Sequence, residues 1–248
     1  MTHQPRATPK TPFHAVVLLL VGGTLLKVTL DGAYLRYVKP GARPLLLTAG
    51  VVLLVVAVAS LAARDNTRPG HSHDHDDGHG HRHGRFDVAW LLLAPMLALL
   101  VIAPRALGSF TAARAGTALG AASTSRLPAL PDGDPVRVSL LDYASRAVFD
   151  HGASLRNRHV EVSGFLLPGQ HGSWYLTRMV ITCCAADAQP VKVGLTGDAP
   201  TGAHANDWID AVGTYTDRVD ADPVNAETIP YLTITTWHPI AAPARQYE

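Results

Sequence analysis

With 248 residues and a formal net charge of +1, the chain is long enough for one large domain or two small ones and has no strong field to draw in nucleic acid. Its two cysteines, Cys183 and Cys184, are neighbours, which excludes a disulfide framework. A bond between adjacent cysteines is strained, so both are read as thiols. Up to residue 107 the chain carries long apolar runs with few charges, and beyond it a mixture rich in Asp, Thr, Gly and Pro. Such a shift marks two parts that live in different solvents.

Three apolar runs come first. They extend from about Phe13 to Leu30, from Leu45 to Ala63, and from about Val88 to Leu107. A helix needs about 20 apolar residues to cross hydrocarbon. The second run meets this with no charge at all. The others meet it if Lys27 and Arg105 reach back to the interface. The rival for each run is a buried helix of a soluble protein. For the first run it is also a signal peptide, but Lys27, Asp31 and Tyr34 crowd the exit and leave no clean cleavage site. Residues 1–110 are therefore expected to be a multi-pass anchor in the cell membrane, embedded in lipid. Arg6 and Lys10 in the tail, with Arg64, Arg68, Arg82 and Arg85 after the second run, outweigh Arg36, Lys39 and Arg43 after the first. This balance predicts an extracytoplasmic C-terminal domain.

Between the second and third runs lies His71-Ser-His73-Asp-His75-Asp-Asp-Gly-His79-Gly-His81-Arg-His83. Neutral imidazole is a common ligand for zinc and also suits nickel and copper. Gly78 and Gly80 keep the backbone pliable. His71, His73, His75, His79, His81 and His83 are expected to bind zinc or another divalent transition metal weakly and at several places. A Gly-Asp-His loop lacks the rigid scaffold that catalytic zinc needs. The bland alternative is a solvated hairpin that only spaces two spans.

Residues 111–134, rich in Ala, Gly, Ser and Thr, read as a linker. Ser139 followed by Asp142 is a helix start, with Leu140, Leu141, Ala144, Ala147 and Val148 forming its apolar face. Five strands are then predicted, at 159–165, 174–184, 191–195, 208–215 and 231–237. Gly164, Gly213 and the Pro168-Gly169 pair stand where strands must bend or turn. This pattern predicts that residues 135–248 form a small all-β domain, an OB-like five-stranded barrel, with an open sandwich as the alternative.

Four segments resemble those of the YcgQ-type membrane protein family. They are Leu155-Arg-Asn-Arg-His-Val-Glu-Val-Ser-Gly-Phe165, Thr182-Cys-Cys-Ala-Ala-Asp187, Trp208-Ile-Asp-Ala-Val-Gly213 and Thr235-Thr-Trp237. Cys184 and Asp187 match the family's Cys-x-x-Asp, Cys183 is an addition, and Asn157 stands where the family usually has Gly. The resemblance implies a multi-span permease partner and a part in moving metal or another small solute.

Cys184 and Asp187, a thiol and a carboxylate three residues apart, can both reach one metal ion, with His171 or His204 as possible further ligands. In an extended strand Cys183 points to the opposite face. The structural alternative makes Cys184 a small buried residue and Asp187 a turn residue. Trp174, Tyr175, Trp208, Tyr215, Tyr231 and Trp237 line a groove if the domain is instead a membrane-tethered OB-type module for a ligand or protein, without a transport role. Nucleic acid is disfavoured because the domain is acid-rich. No P-loop, dinucleotide fingerprint, nucleophile elbow or zinc-protease motif occurs, so no enzyme is expected. The weaker enzymatic reading is thiol chemistry at Cys184.

Overall fold

The computed structural model describes residues 13–65, 106–119 and 127–248. The chain divides into two compact units. The smaller contains the N-terminal helices; the larger combines residues 105–248 with the short segment Leu35–Pro40.

The first unit contains helices α1 (Phe13–Leu30) and α2 (Arg43–Asp65). They cover the first two expected spans. Among the described residues one helix, over Pro40–Ala62, is long and apolar enough to cross a membrane, and α1 falls short of that length. Of the expected three-span anchor, the described residues show one full-length candidate and one shorter apolar helix. The third expected span lies outside the described residues except for its last two positions, and the histidine tract lies wholly outside them.

The surface of α2 argues against a helix buried in a soluble core. Leu45, Val51, Val52, Val55, Val56 and Val58 are all exposed, Leu45 by 73%. An outward apolar face of that extent is costly in water and natural in hydrocarbon. The helix contact is built from small residues. A Cβ on Gly50 would lie 2.7 Å from the Leu26 side chain, and one on Gly22 would lie 3.0 Å from the Gly50 carbonyl. Backbones that close together are a common solution where helices cannot rely on water to drive them together. The hydroxyls of Thr24, Thr29, Thr48 and Ser60 each donate to the carbonyl four residues earlier, at 2.6–2.8 Å. In this way each polar group is satisfied within its own helix.

The larger unit carries a six-stranded mixed sheet: β1 (Val136–Arg137), β2 (His159–Pro168), β3 (Trp174–Val180), β4 (Gln189–Gly197), β5 (Trp208–Ala221) and β6 (Thr228–Ile240). The strand order is β1-β2-β3-β4-β6-β5, and β2 also pairs with β5. β3, β4, β5 and β6 therefore each have two neighbours and β2 has three, and the pairing from β2 returns to where it began. The β1–β2 and β4–β6 pairs are parallel, and the others antiparallel. The expected five-stranded all-β domain is corrected on one count, a sixth, two-residue strand, and the helix expected after Ser139 packs on the sheet over ten residues.

Alternation places one face of each strand inward. Val160, Val162, Leu166, Leu176, Val191, Val193, Leu195, Ile209, Leu232 and Ile234 are buried in one cluster with Leu140, Tyr143, Ala144 and Ala147 of the helix. Gly164 and Gly213 allow neighbouring strands to approach. A Cβ there would lie 2.7 Å from the Thr177 carbonyl oxygen and 2.4 Å from the Thr233 carbonyl oxygen, respectively.

Two short helices accompany this sheet, α3 (Ser109–Ala112) ahead of β1 and α4 (Leu140–Phe149) between β1 and β2. Ser139 caps α4, its side chain accepting from the Asp142 N–H at 3.0 Å, as the sequence predicts. Much of the stretch read as a linker is packed structure. Thr117 donates its N–H to Asp222 at 2.9 Å, Ala118 donates to the Pro190 carbonyl at 2.9 Å, and Leu119 is buried. The cause is a buried ion pair. Lys192 Nζ lies 2.8 Å from Asp222 and also donates to the Ala115 carbonyl at 2.7 Å. Both charges draw in the backbone of residues 115–117 to complete their hydrogen bonds.

Candidate metal site

Strand β3 ends at Val180 rather than continuing to Cys184, and a short 3-10 turn, Ala185–Asp187, follows with Cys184 as its first cap. Asp187 causes that ending. Its carboxylate accepts the N–H groups of Thr182 at 2.8 Å, Cys183 at 2.8 Å and Cys184 at 3.4 Å. Three amides that would otherwise need ladder partners are gathered around one anion.

The strand-based expectation for the two cysteines is therefore corrected. Outside a strand, successive side chains need not point to opposite faces. The sulfurs of Cys183 and Cys184 are 3.6 Å apart, with the Cys183 thiol donating toward Cys184. The two sulfurs and a carboxylate oxygen of Asp187 all lie within 4.8 Å of one another. Cys183 is exposed and Cys184 half-buried, and both are free thiols.

The electrostatics of this turn are asymmetric. The hydrogen bond from the Cys183 thiol, then those from the Cys183 and Thr182 amides, pull the Asp187 carboxyl down to about 2. The same carboxylate, followed by the Cys184 sulfur, pushes the Cys183 thiol up to about 11. Without a cation Cys183 is therefore a protonated thiol at neutral pH, the opposite of the lowered pKa that thiol catalysis uses.

The turn is held from a distant part of the chain. Val38 and Cys184 form an antiparallel bridge, Ala185 donates its N–H to the Tyr37 carbonyl at 2.6 Å, and Lys39 donates to the Cys183 carbonyl at 3.3 Å. Tyr37, Val38 and Lys39 carried no local signal for this role, because their partners lie far along the sequence. The C-terminal residue Glu248 was likewise not foreseen. Its carboxylate accepts from Leu140 and Leu141 at the start of α4, both at 3.0 Å, and lies 3.3 Å from Arg178.

Other expected participants lie elsewhere. His171 sits in a turn with φ 55°, and the His204 ring lies 3.6 Å from Asp207. Neither belongs to the Cys183, Cys184 and Asp187 cluster. His71, His73, His75, His79, His81 and His83 fall outside the described residues. The aromatic residues expected in a groove serve packing. Tyr175, Trp208 and Tyr231 are buried, and Trp174, Tyr215 and Trp237 pack against the inner core. Phe165 meets Trp208 edge to face at 5.7 Å.

No curated protein and no solved structure matches the chain. Residues 13–118 match the DUF1980 N-terminal domain and residues 143–248 the DUF1980 C-terminal domain. Carrying both domains in order, the chain belongs to the DUF1980 family.

Proposed function

We propose that this protein is a membrane-anchored accessory subunit of a permease system that handles a divalent transition metal, and that Cys183, Cys184 and Asp187 hold that metal. The observation that carries this reading is the convergence of two thiols and a carboxylate within 4.8 Å. Two thiolates on one tetrahedral zinc, with bonds of about 2.3 Å, stand about 3.8 Å apart. The observed sulfur separation of 3.6 Å is close to that. A set of two sulfurs and one oxygen suits zinc and leaves a fourth position open for water or an incoming donor. The three amides on Asp187 supply the outer hydrogen bonds that orient a ligating carboxylate. The histidine tract 71–83 acts in this reading as a loose reservoir of ligands.

The surrounding architecture is consistent with that role. The closed circuit of β2, β3, β4, β6 and β5 supports the reading of an OB-like barrel, a platform that presents loops at its ends. The YcgQ-type resemblance implies the multi-span permease partner. Leu35–Pro40 connects α1 with α2 and belongs to the C-terminal unit. In this reading α1, α2 and the apolar run 88–107 each cross the bilayer, and the C-terminal unit follows the third crossing. On the same reading the charge balance favours an extracytoplasmic C-terminal unit and a cytoplasmic histidine tract.

The test is zinc content by elemental analysis of the full chain purified from membranes, with mass spectrometry of co-purifying proteins. Cys184→Ser should lose one zinc equivalent, and deletion of residues 71–83 should lose weaker, additional zinc. Unchanged zinc in the Cys184→Ser protein would overturn the metal site. Absence of any multi-span partner from the membrane preparation would overturn the permease role.

A further inference from the structure

The segment Leu35–Pro40 meets the C-terminal unit at the very residues that carry the thiols. Cys183 gives its carbonyl to Lys39, Cys184 forms the bridge with Val38, and Ala185 gives its N–H to Tyr37. Leu35, Val38 and Pro40 also line a narrow gap with Ile181 and Tyr247. The turn thus has two sets of ties. Its side chains and the Asp187 carboxylate face one another, while its backbone is paired to a segment that is covalently continuous with α1 and α2.

Resting on the metal-site reading above, we propose that metal loading at Cys183, Cys184 and Asp187 and docking of Leu35–Pro40 are thermodynamically linked, so that the loaded site reports to the connection between the membrane helices. The argument is one of shared order. A metal that draws two thiolates and a carboxylate into one coordination sphere freezes the backbone from Thr182 to Asp187. That backbone supplies every hydrogen bond named between the turn and Leu35–Pro40, so freezing it lowers the entropy still to be lost on docking. Linkage is reciprocal: whatever tightens the docked segment must raise metal affinity by the same factor. On this proposal Leu35–Pro40 is the element with two arrangements, the docked one observed and a released one that the proposal requires. The partner that would read it is one that touches the α1–α2 connection, as a permease subunit at the same membrane face would.

The experiment is hydrogen exchange, by mass spectrometry, of the detergent-solubilised full chain with and without zinc, with zinc content measured on the same samples. The expected result is that peptides over 35–40 and 182–187 exchange at least about fivefold more slowly with zinc, the lower end of typical coupling. The slowing should vanish in Cys184→Ser. A second arm measures zinc affinity in Lys39→Pro, which lacks the N–H given to Cys183. Affinity should fall at least about fivefold while tryptophan fluorescence shows the C-terminal unit still folded. Zinc bound at Cys184 with unchanged exchange over 35–40, or with unchanged affinity in Lys39→Pro, overturns the linkage and leaves the metal site standing. No zinc lost in Cys184→Ser overturns the metal site, and the linkage with it.

Discussion

Cys183 and Asp187 govern how the turn responds to pH, in opposite directions. The thiol is held up to about 11, so a metal must displace its proton at neutral pH. Affinity for zinc should therefore rise with pH, about tenfold per pH unit for each thiol proton released. Competition against a chelating dye from about pH 6 to about pH 8 measures this, and a flat profile would exclude thiolate ligation. Asp187 has its folded pKa depressed to about 2, below an unfolded value near 4. Its contribution is present above about pH 4 and is lost as pH falls through about 2, so neutral-pH zinc titrations see Asp187 fully ionised. Elsewhere, Asn157 has φ 60°, in the left-handed region. The resemblance has Gly at that position, and Asn is the side chain that best tolerates such a backbone. Asn157→Val should destabilise the C-terminal unit by about 1–2 kcal/mol, seen as a lower unfolding midpoint, whereas Asn157→Gly should be close to neutral.

At the scale of elements, two distant anchors hold α4 and the segment 106–119 in place. Glu248 covers the first two amides of α4, adding to the Ser139 cap and the helix dipole. Glu248→Ala should cost about 1.5–3 kcal/mol, because it removes hydrogen bonds to a charged group and leaves Arg178 without its carboxylate. Asp222 pairs with Lys192, with the two side chains 0% and 3% exposed. Asp222→Ala should cost more, about 3–5 kcal/mol, since it strands a buried ammonium. It should also release residues 115–118. Denaturant unfolding followed by tryptophan fluorescence checks the order of the two variants, and proteolysis near residue 115 checks the release. Equal costs would mean that Lys192 finds another partner.

For the whole molecule, the decisive quantity is which side of the bilayer each part faces. The proposed arrangement sets Cys183 and the histidine tract on opposite sides. A membrane-impermeant maleimide should label, in intact cells, a cysteine introduced by Val219→Cys, an exposed position of the C-terminal unit. A cysteine introduced by Ser72→Cys, in a chain with Cys183 and Cys184 replaced by Ser, should be labelled only after permeabilisation. Labelling of both in intact cells would remove the crossing between residues 65 and 106.

Part of this architecture was legible in residue order. The two N-terminal helices follow from runs of apolar residues, because a helix satisfies its own backbone and its length is counted directly in sequence. The strands follow from alternation, and the start of α4 follows from Ser139 and Asp142, since both signals are local. The spacing of Cys184 and Asp187 suggested that they meet, as their atoms do, but the strand assigned to them hid the approach of Cys183. What only the tertiary structure decided is everything set by contacts between remote residues. This includes the return of β5 to β2, the capture of residues 115–117 by Lys192 and Asp222, the Glu248 cap, and the docking of Leu35–Pro40 beside the cysteines. Those contacts pair single groups across long separations, and no period or spacing along the chain encodes which group will meet which.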